Sequence, residues 1–242
     1  MENMVNVSLT KELTIHKQNA PKPHKLFISH SSKDKPYMVA LTKMLEKIGM
    51  PNGSFVCTCV PGYGIPGGAK IFDWLRDQFL TCDLRVLFAL SHNYYNSAAC
   101  LNEMGAGWVT KSNETLLLLP GFNSSDIQGC IDPREIGISF SMEDDELKHR
   151  LNEFKDVLVM EHQLSPITQT NWERTRDEFV REVREIDQFR NLNQDGVVRT
   201  DKKTNEFKKW NQNKIVSTAK EKDEFKHEGP SNGIEESRIS IL

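Results

Sequence analysis

No apolar stretch in this chain approaches the roughly 18 to 20 residues that a helix needs to cross a bilayer. The first twenty residues, MENMVNVSLTKELTIHKQNA, are too polar for the apolar heart of a secretion signal. Cysteine is scarce. Five residues, an odd number without regular spacing, argue against a disulfide framework and suit a reducing compartment. A surplus of positive charge is also missing. The formal net charge is −3, from 31 basic and 34 acidic residues that are mixed rather than blocked. A dedicated nucleic-acid binder would show a basic excess. These absences lead us to expect a cytoplasmic protein with no nucleic-acid partner and no membrane partner.

Two of the cysteines, Cys57 and Cys59, stand two apart on an expected strand, where their side chains would share one face. No second Cys or His pair lies at ligand spacing, so they read as small buried apolar residues and no metal site is expected.

The hydrophobic content, 38%, is unevenly spread, and residues 25 to 120 hold most of the aliphatic clusters. Residues 1–24 read as a polar arm ending at PKPH, where prolines discourage regular structure. KLFIS (25–29), SFVCTCV (54–60), LRVLFALS (84–91), TLLLLP (115–120) and IGISF (136–140) read as strands. Between them lie helical patterns. Tyr37, Leu41, Leu45 and Ile48 form one stripe, with Pro36 in the first turn and Gly49 at the stop. Ile71, Leu75 and Phe79 form another. Strands that are nearly continuous apolar runs, alternating with helices, imply a parallel sheet covered on both faces. Ligands of such sheets collect beyond the carboxyl ends of the strands.

Further on, Ser141 and Asp144 have the spacing of a capping box, ahead of a stripe of Leu147, Leu151, Phe154 and Leu158. A helix over about 171–190 turns Trp172, Phe179, Val183 and Ile186 inward, within a helical extension over 163–192. The segment 193–242, rich in Lys, Glu, Asp and Asn, reads as a charged, mobile tail.

GYGIPG (62–67) satisfies the G-x-G-x-x-G pattern of dinucleotide-binding turns, between a strand and a helix. Pro66 removes an amide that could have faced phosphate, and the following strand ends in FALSHN, without the acid that would hold a ribose. A dehydrogenase is therefore the weakest of the enzymatic readings. No Gly-Lys-Ser/Thr follows a P-loop spacing, and LFISHS lacks the acids of a phospho-receiver.

From Val86 to Thr110 the one side chain charged at neutral pH is Glu103, counting His92 as neutral. On a helix Ala99, Ala106 and Gly107 flank it, so the carboxylate would stand in a hollow with no Lys or Arg to pair it. The plain alternative is a solvated glutamate beside small residues chosen for close packing.

LFISHSSKD, GIPGG ahead of a helix, RVLFALSHNYYNSAAC and CLNE occur in the order seen in Toll/interleukin-1 receptor (TIR) domains, particularly bacterial ones. The resemblance spans residues 25 to 160, within an expected domain of 25–162. It implies a flavodoxin-like five-stranded parallel sheet with helices on both faces, here followed by C-terminal helices. It makes the 59–69 loop the family's BB loop, which shapes the ligand cleft and joins subunits. Some members are interaction modules. Others hydrolyse or cyclise NAD through a glutamate in a motif similar to Trp-Cys-x-x-Glu. Cys100 and Glu103 match that motif, and Ala99 stands where the family has tryptophan. Tyr94, Tyr95 or Trp108 could offer an aromatic surface instead, although core packing is the better reading of Trp108.

One carboxylate suffices for this chemistry. An ordinary glycoside needs a second carboxyl group to protonate its leaving oxygen. Nicotinamide departs from a cationic ring nitrogen as a neutral molecule, leaving positive charge to develop on the ribose. A fixed anion stabilises that charge. The resemblance thus implies Glu103 as the catalytic carboxylate and NAD+ as substrate rather than cofactor. Phe27, Ser29, His30, Ile65, Gly67, Tyr94 and Ser97 are the candidate substrate-binding residues. Self-association through surfaces that include the 59–69 loop, and association with other TIR proteins, are the expected partnerships. A role in bacterial defence or host interference is implied. A non-enzymatic TIR adaptor is the rival reading.

Overall fold

A computed structural model describes residues 22–194, apart from Lys111 and Ile136. Most of the expected arm at 1–24 and nearly all of the tail at 193–242 lie outside the described residues. Five strands, β1 (His24–His30), β2 (Phe55–Val56), β3 (Asp83–Leu90), β4 (Asn113–Leu118) and β5 (Ile138–Ser139), form one sheet of order β2-β1-β3-β4-β5. Every pairing is parallel. The helices are α1 (Lys35–Lys47), α2 (Ile71–Thr81), the single turn α3 (His92–Tyr95), α4 (Ala98–Thr110), α5 (Asp144–Glu161) and α6 (Gln169–Gln194). This is the flavodoxin-like α/β arrangement expected from the alternation of strands and helices, followed by C-terminal helices.

Successive residues of the central strands enter opposite cores, as the two-residue period of a strand requires. Leu26, Ile28, Leu87, Ala89, Leu117 and Leu119 join α1, α5 and α6 in one buried cluster. Phe27, Val86, Phe88, Leu90, Leu116 and Leu118 join α2, α3 and α4 in the other. The middle and carboxyl-terminal parts of β1, β3 and β4 are mostly apolar because they are buried on both faces, while their first residues are polar and less buried.

The α1 stripe is as the spacing predicts. Tyr37, Leu41, Leu45 and Ile48 are all buried, and Gly49 closes the helix at φ +90°, a conformation a Cβ would disfavour. Leu147, Leu151, Phe154 and Leu158 are buried along α5, and Trp172, Phe179, Val183 and Ile186 along α6. In α2, Leu75 is buried and Phe79 half-buried, while the Ile71 side chain lies outside the described residues.

Two local readings are corrected. The second strand is short. After Val56, the Cys57 N–H bonds to the Tyr63 carbonyl and the Val60 N–H to that of Cys57, so the chain curls into turns at Pro61 and Gly62 instead of extending to residue 60. The capping box at Ser141 does not form either. The cap of α5 is Glu143, without a side-chain bond, and Asp144 accepts from Arg184 Nε at 2.9 Å. Asp144, Asp145 and Glu146 still place negative charge at the positive end of the helix. Among the described residues no helix is long and apolar enough to cross a membrane.

Candidate functional site

The strand order reverses between β1 and β3, and an open α/β sheet forms its crevice at the carboxyl end of such a junction. β1 ends there with Ser29 and His30, paired with Phe88 and Ala89 of β3. β3 leads into α3, whose first turn is capped where Ser91 Oγ accepts from the Tyr94 N–H at 3.0 Å. α4 begins behind Ser97, whose hydroxyl accepts from the Cys100 N–H at 3.4 Å. Two short helical segments following one strand therefore bring Tyr94 and Glu103 back over the end of β1.

Glu103 is half-buried, and the Ser29 hydroxyl donates to its Oε2 at 2.6 Å. Tyr94 Oη lies 2.8 Å from Ser29 Oγ and 2.9 Å from the Cys100 carbonyl. The one Ser29 proton is committed to the carboxylate, and the single Tyr94 proton is shared between Ser29 Oγ and the Cys100 carbonyl, both of which lie within its reach. The result is a buried chain of polar groups that fixes one carboxylate oxygen and leaves the other unengaged by these groups. Burial raises the Glu103 carboxyl above its ordinary pKa, while the Ser29 hydrogen bond and the nearby His30 pull it back without cancelling the effect.

Glu103 lines a cavity of about 380 Å³ between α2 and α4, within the size range of small-molecule sites. Leu75, Phe79 and Leu80 form one wall, and Gly105, Ala106 and Val109 the other. The expected hollow beside Glu103 thus exists, though partly for another reason than its spacing suggested. Ala106 and Gly105 line it, whereas Gly107 is buried against β3, where a Cβ would stand 3.0 Å from the Phe88 ring. Among the described residues Arg76 is the cation on the cavity wall, more than half exposed and 3.5 Å from Asp73.

The other sequence candidates fall into separate places. Phe27 is buried in the core on the cavity side of the sheet. Tyr94 is fully buried, so it offers its hydroxyl and no ring face. Tyr95 stacks on Phe122, with centroids 5.5 Å apart. Trp108, read from sequence as core, is 60% exposed, because α4 turns that position away from β3. Ala99 is exposed. Ile65 packs partly buried against the same core, and Gly67 is exposed with nothing near its would-be Cβ. Ser97 caps its helix.

His30 is hydrogen-bonded elsewhere, although its charge acts on Glu103. Its Nδ1 donates to the Ile28 carbonyl at 2.8 Å, and its Nε2 lies 4.0 Å from Cys57 Sγ, which is 3.9 Å from Cys59 Sγ. The Cys59 thiol is lowered to about 5. The hydrogen bond from Cys57 is the main cause, burial opposes it, and His30 and Lys35 assist. Burial works to lower the His30 pKa, but Cys59, the Ile28 carbonyl and Glu103 outweigh it and the pKa is raised. Donating to Cys59, followed by burial, pushes the Cys57 thiol up.

Sequence reasoning also passed over Asp34 and Phe79. Asp34 is buried and accepts from Ser91 Oγ at 2.5 Å and Asn93 Nδ2 at 2.7 Å, tying the loop after β1 to α3. Phe79 read as one more core position, and periodicity does not distinguish a core stripe from a cavity wall.

No family model matches the chain. Over 162 residues it is 38% identical to a protein of Bacillus subtilis (strain 168) described as "Uncharacterized protein YddK". The match covers 67% of this chain but 58% of that relative, so the chain spans less than two thirds of its length.

Proposed function

We propose that this chain is a TIR-type NAD-cleaving enzyme. It breaks the bond between nicotinamide and ribose and releases ADP-ribose or a cyclic isomer. The observation that carries the reading is Glu103, whose carboxylate is gripped by Ser29 at the β1–β3 junction and which lines an apolar cavity. Apolar walls suit a flat nicotinamide ring, and Phe79 supplies an aromatic side chain where Ala99 supplies none. The carboxylate faces the ribose, where positive charge grows as the ring leaves. Holding it in a poorly solvated place makes its charge more effective. Ser29 and Tyr94 keep it oriented, Ser97 anchors the helix that carries it, and Arg76 at the mouth suits the pyrophosphate. Association between copies involves the exposed 59–69 loop, and the protein works in the cytoplasm in bacterial defence or host interference.

The test is incubation of purified, concentrated protein with NAD+ and separation of the products by chromatography. Wild type yields nicotinamide, and Glu103→Gln yields it about a hundredfold to a thousandfold more slowly. Equal turnover by both proteins would remove Glu103 from the mechanism. The adaptor reading draws on a different observation, the exposed Leu80 and Val109 at the same cavity, with the exposed Trp108 next to Val109 in the chain. An inert wild type that nonetheless binds a second TIR protein through this surface would favour it.

A further inference from the structure

We infer that His30, Cys57 and Cys59 form a binding site for a borderline-soft divalent metal ion, Zn2+ being the natural occupant. One imidazole nitrogen and two sulfurs lie within 4.8 Å of one another. In a tetrahedral zinc site the two sulfurs stand about 3.8 Å apart, and sulfur and nitrogen roughly 3.6 Å. The Cys57–Cys59 and Cys57–His30 separations of 3.9 and 4.0 Å are close to those values. Cys59 and His30 stand within 4.8 Å of each other, so closing on an ion draws Cys59 toward the imidazole.

Three further features point the same way. The His30 Nδ1 proton is given to the Ile28 carbonyl, which leaves Nε2 as the free lone pair on the side of the sulfurs. That is the second-sphere bond by which metal-binding histidines are held in one tautomer and one orientation. The loop carrying the thiols is held in place too. The Cys57 N–H bonds to the Tyr63 carbonyl at 2.8 Å, and the Tyr63 ring stacks on Phe55 with centroids 4.4 Å apart. Finally, Cys59 lines a cavity of about 360 Å³ bounded by the glycine loop. A fourth, exogenous donor such as water can reach the ion from there.

The donor set decides the class of ion. Two thiolates and an imidazole favour zinc over magnesium or calcium, which take oxygen. Binding forms two metal–sulfur bonds and one metal–nitrogen bond, and releases to solvent whatever protons the two thiols and Nε2 still hold. A disulfide between the same cysteines is the less suited product. Its sulfurs must close to about 2.0 Å, and it requires an oxidant. The site does not depend on the NAD reading, since none of its three ligands lines the Glu103 cavity.

The experiment uses the full-length chain, reduced and freed of metal, titrated with Co2+ and then Zn2+ under anaerobic conditions. One equivalent of Co2+ should produce sulfur-to-metal charge-transfer absorption and the strong visible bands of tetrahedral cobalt. One equivalent of Zn2+ should abolish both. The Cys57→Ser/Cys59→Ser variant should lack the charge-transfer band and bind Zn2+ at least tenfold more weakly. A second measurement needs no variant. Zn2+ should slow alkylation of Cys59 in the wild type while Cys130, partly exposed on the far side of the sheet, reacts at an unchanged rate. The inference is overturned by a folded wild type without charge-transfer absorption, by the same absorption in the double variant, or by Cys59 alkylation indifferent to zinc. Recovery of a Cys57–Cys59 disulfide from a chain that binds no zinc after reduction would overturn it as well.

Discussion

The two faces of the sheet are built to different standards. The face holding α1, α5 and α6 is covered by helices of 13, 18 and 26 residues. Side chains such as Leu26, Leu45, Leu147, Leu158 and Val183 are completely buried there. Arg85 spans that side from β3 to the end of α5, with its Nε 2.7 Å from Glu161 Oε2 and its Nη2 paired to Oε1. The opposite face carries helices of 11, 4 and 13 residues. It leaves Leu80, Leu101, Trp108 and Val109 exposed and retains the 380 Å³ cavity. The same strands serve both faces, so the difference lies in what covers them. One side is closed for stability, and the other is left open at the place where a carboxylate stands.

The largest effect expected from this contrast is on the closed face. Leu151→Ala removes a side chain 1% exposed in α5 and should cost about 2–5 kcal/mol in urea unfolding. Turnover of NAD+ per folded molecule should not change. A cost below about 1 kcal/mol would mean that this face can collapse around the gap and is not the better packed of the two.

On the open face Glu103→Gln should act on chemistry instead. Removing a preorganised group that stabilises transition-state charge typically costs about 10²–10³ in rate. Stability should respond in the opposite direction. Burial raises the folded-state pKa of Glu103, so its favourable contribution is complete below the unfolded value and is lost as pH rises through the folded one. At neutral pH the ionised carboxylate is a burden to the fold, and the glutamine variant should melt no lower than wild type there. Wild-type activity should rise with pH as Glu103 ionises, through a pKa above the ordinary glutamate value. A variant that both loses activity and melts much lower would indicate that Glu103 holds the fold together.

How much of this contrast could be read beforehand follows from what periodicity encodes. Nearly continuous apolar runs in β1, β3 and β4 announced a sheet buried on both sides, and the stripes of α1, α5 and α6 named their inward residues correctly. The spacing of Leu75 and Phe79 looked the same as theirs, yet one helix closes a core and the other borders a cavity. Which of these occurs depends on the distance between α2 and α4, which no local pattern records. Glu103 was legible because a single charge in a long uncharged stretch is itself a signal. Its grip by Ser29, 74 residues earlier, was not. The His30 cluster was hidden for the same reason, since β1 supplies its imidazole and a turn mistaken for a strand supplies its sulfurs. Trp108 went wrong because aromatic residues are usually buried, and this one lies on the open face.

Arg85→Met sharpens the comparison from the other side. It strips Glu161, 13% exposed, of its bidentate partner and should cost roughly 1–3 kcal/mol. Burial works to raise the Glu161 pKa, but the Arg85 hydrogen bonds and charge overcome it and hold the carboxyl low. Its stabilisation is therefore present above the unfolded value and is lost as pH falls through the folded one. The two carboxylates have opposite signs. Acid titration of unfolding should show a shallower loss in Glu161→Gln and a steeper one in Glu103→Gln, each against wild type. Parallel curves for both variants would erase the electrostatic part of the distinction between the faces.

The smallest effect belongs to Val109→Ser at the rim of the cavity. This side chain is 69% exposed, so the change should move stability by no more than about 0.5 kcal/mol. If the apolar wall receives the substrate, the same change removes contact that ground state and transition state share. KM for NAD+ should then rise about threefold to fivefold, equivalent to roughly 1 kcal/mol of partly buried apolar surface, with kcat unaltered. A fall in kcat at constant KM would place Val109 close to the reacting bond, and the cavity would be the chemical centre rather than its approach. A large loss of stability instead would show that α4 is packed as firmly as α5, and the openness of this face would then be a matter of shape alone.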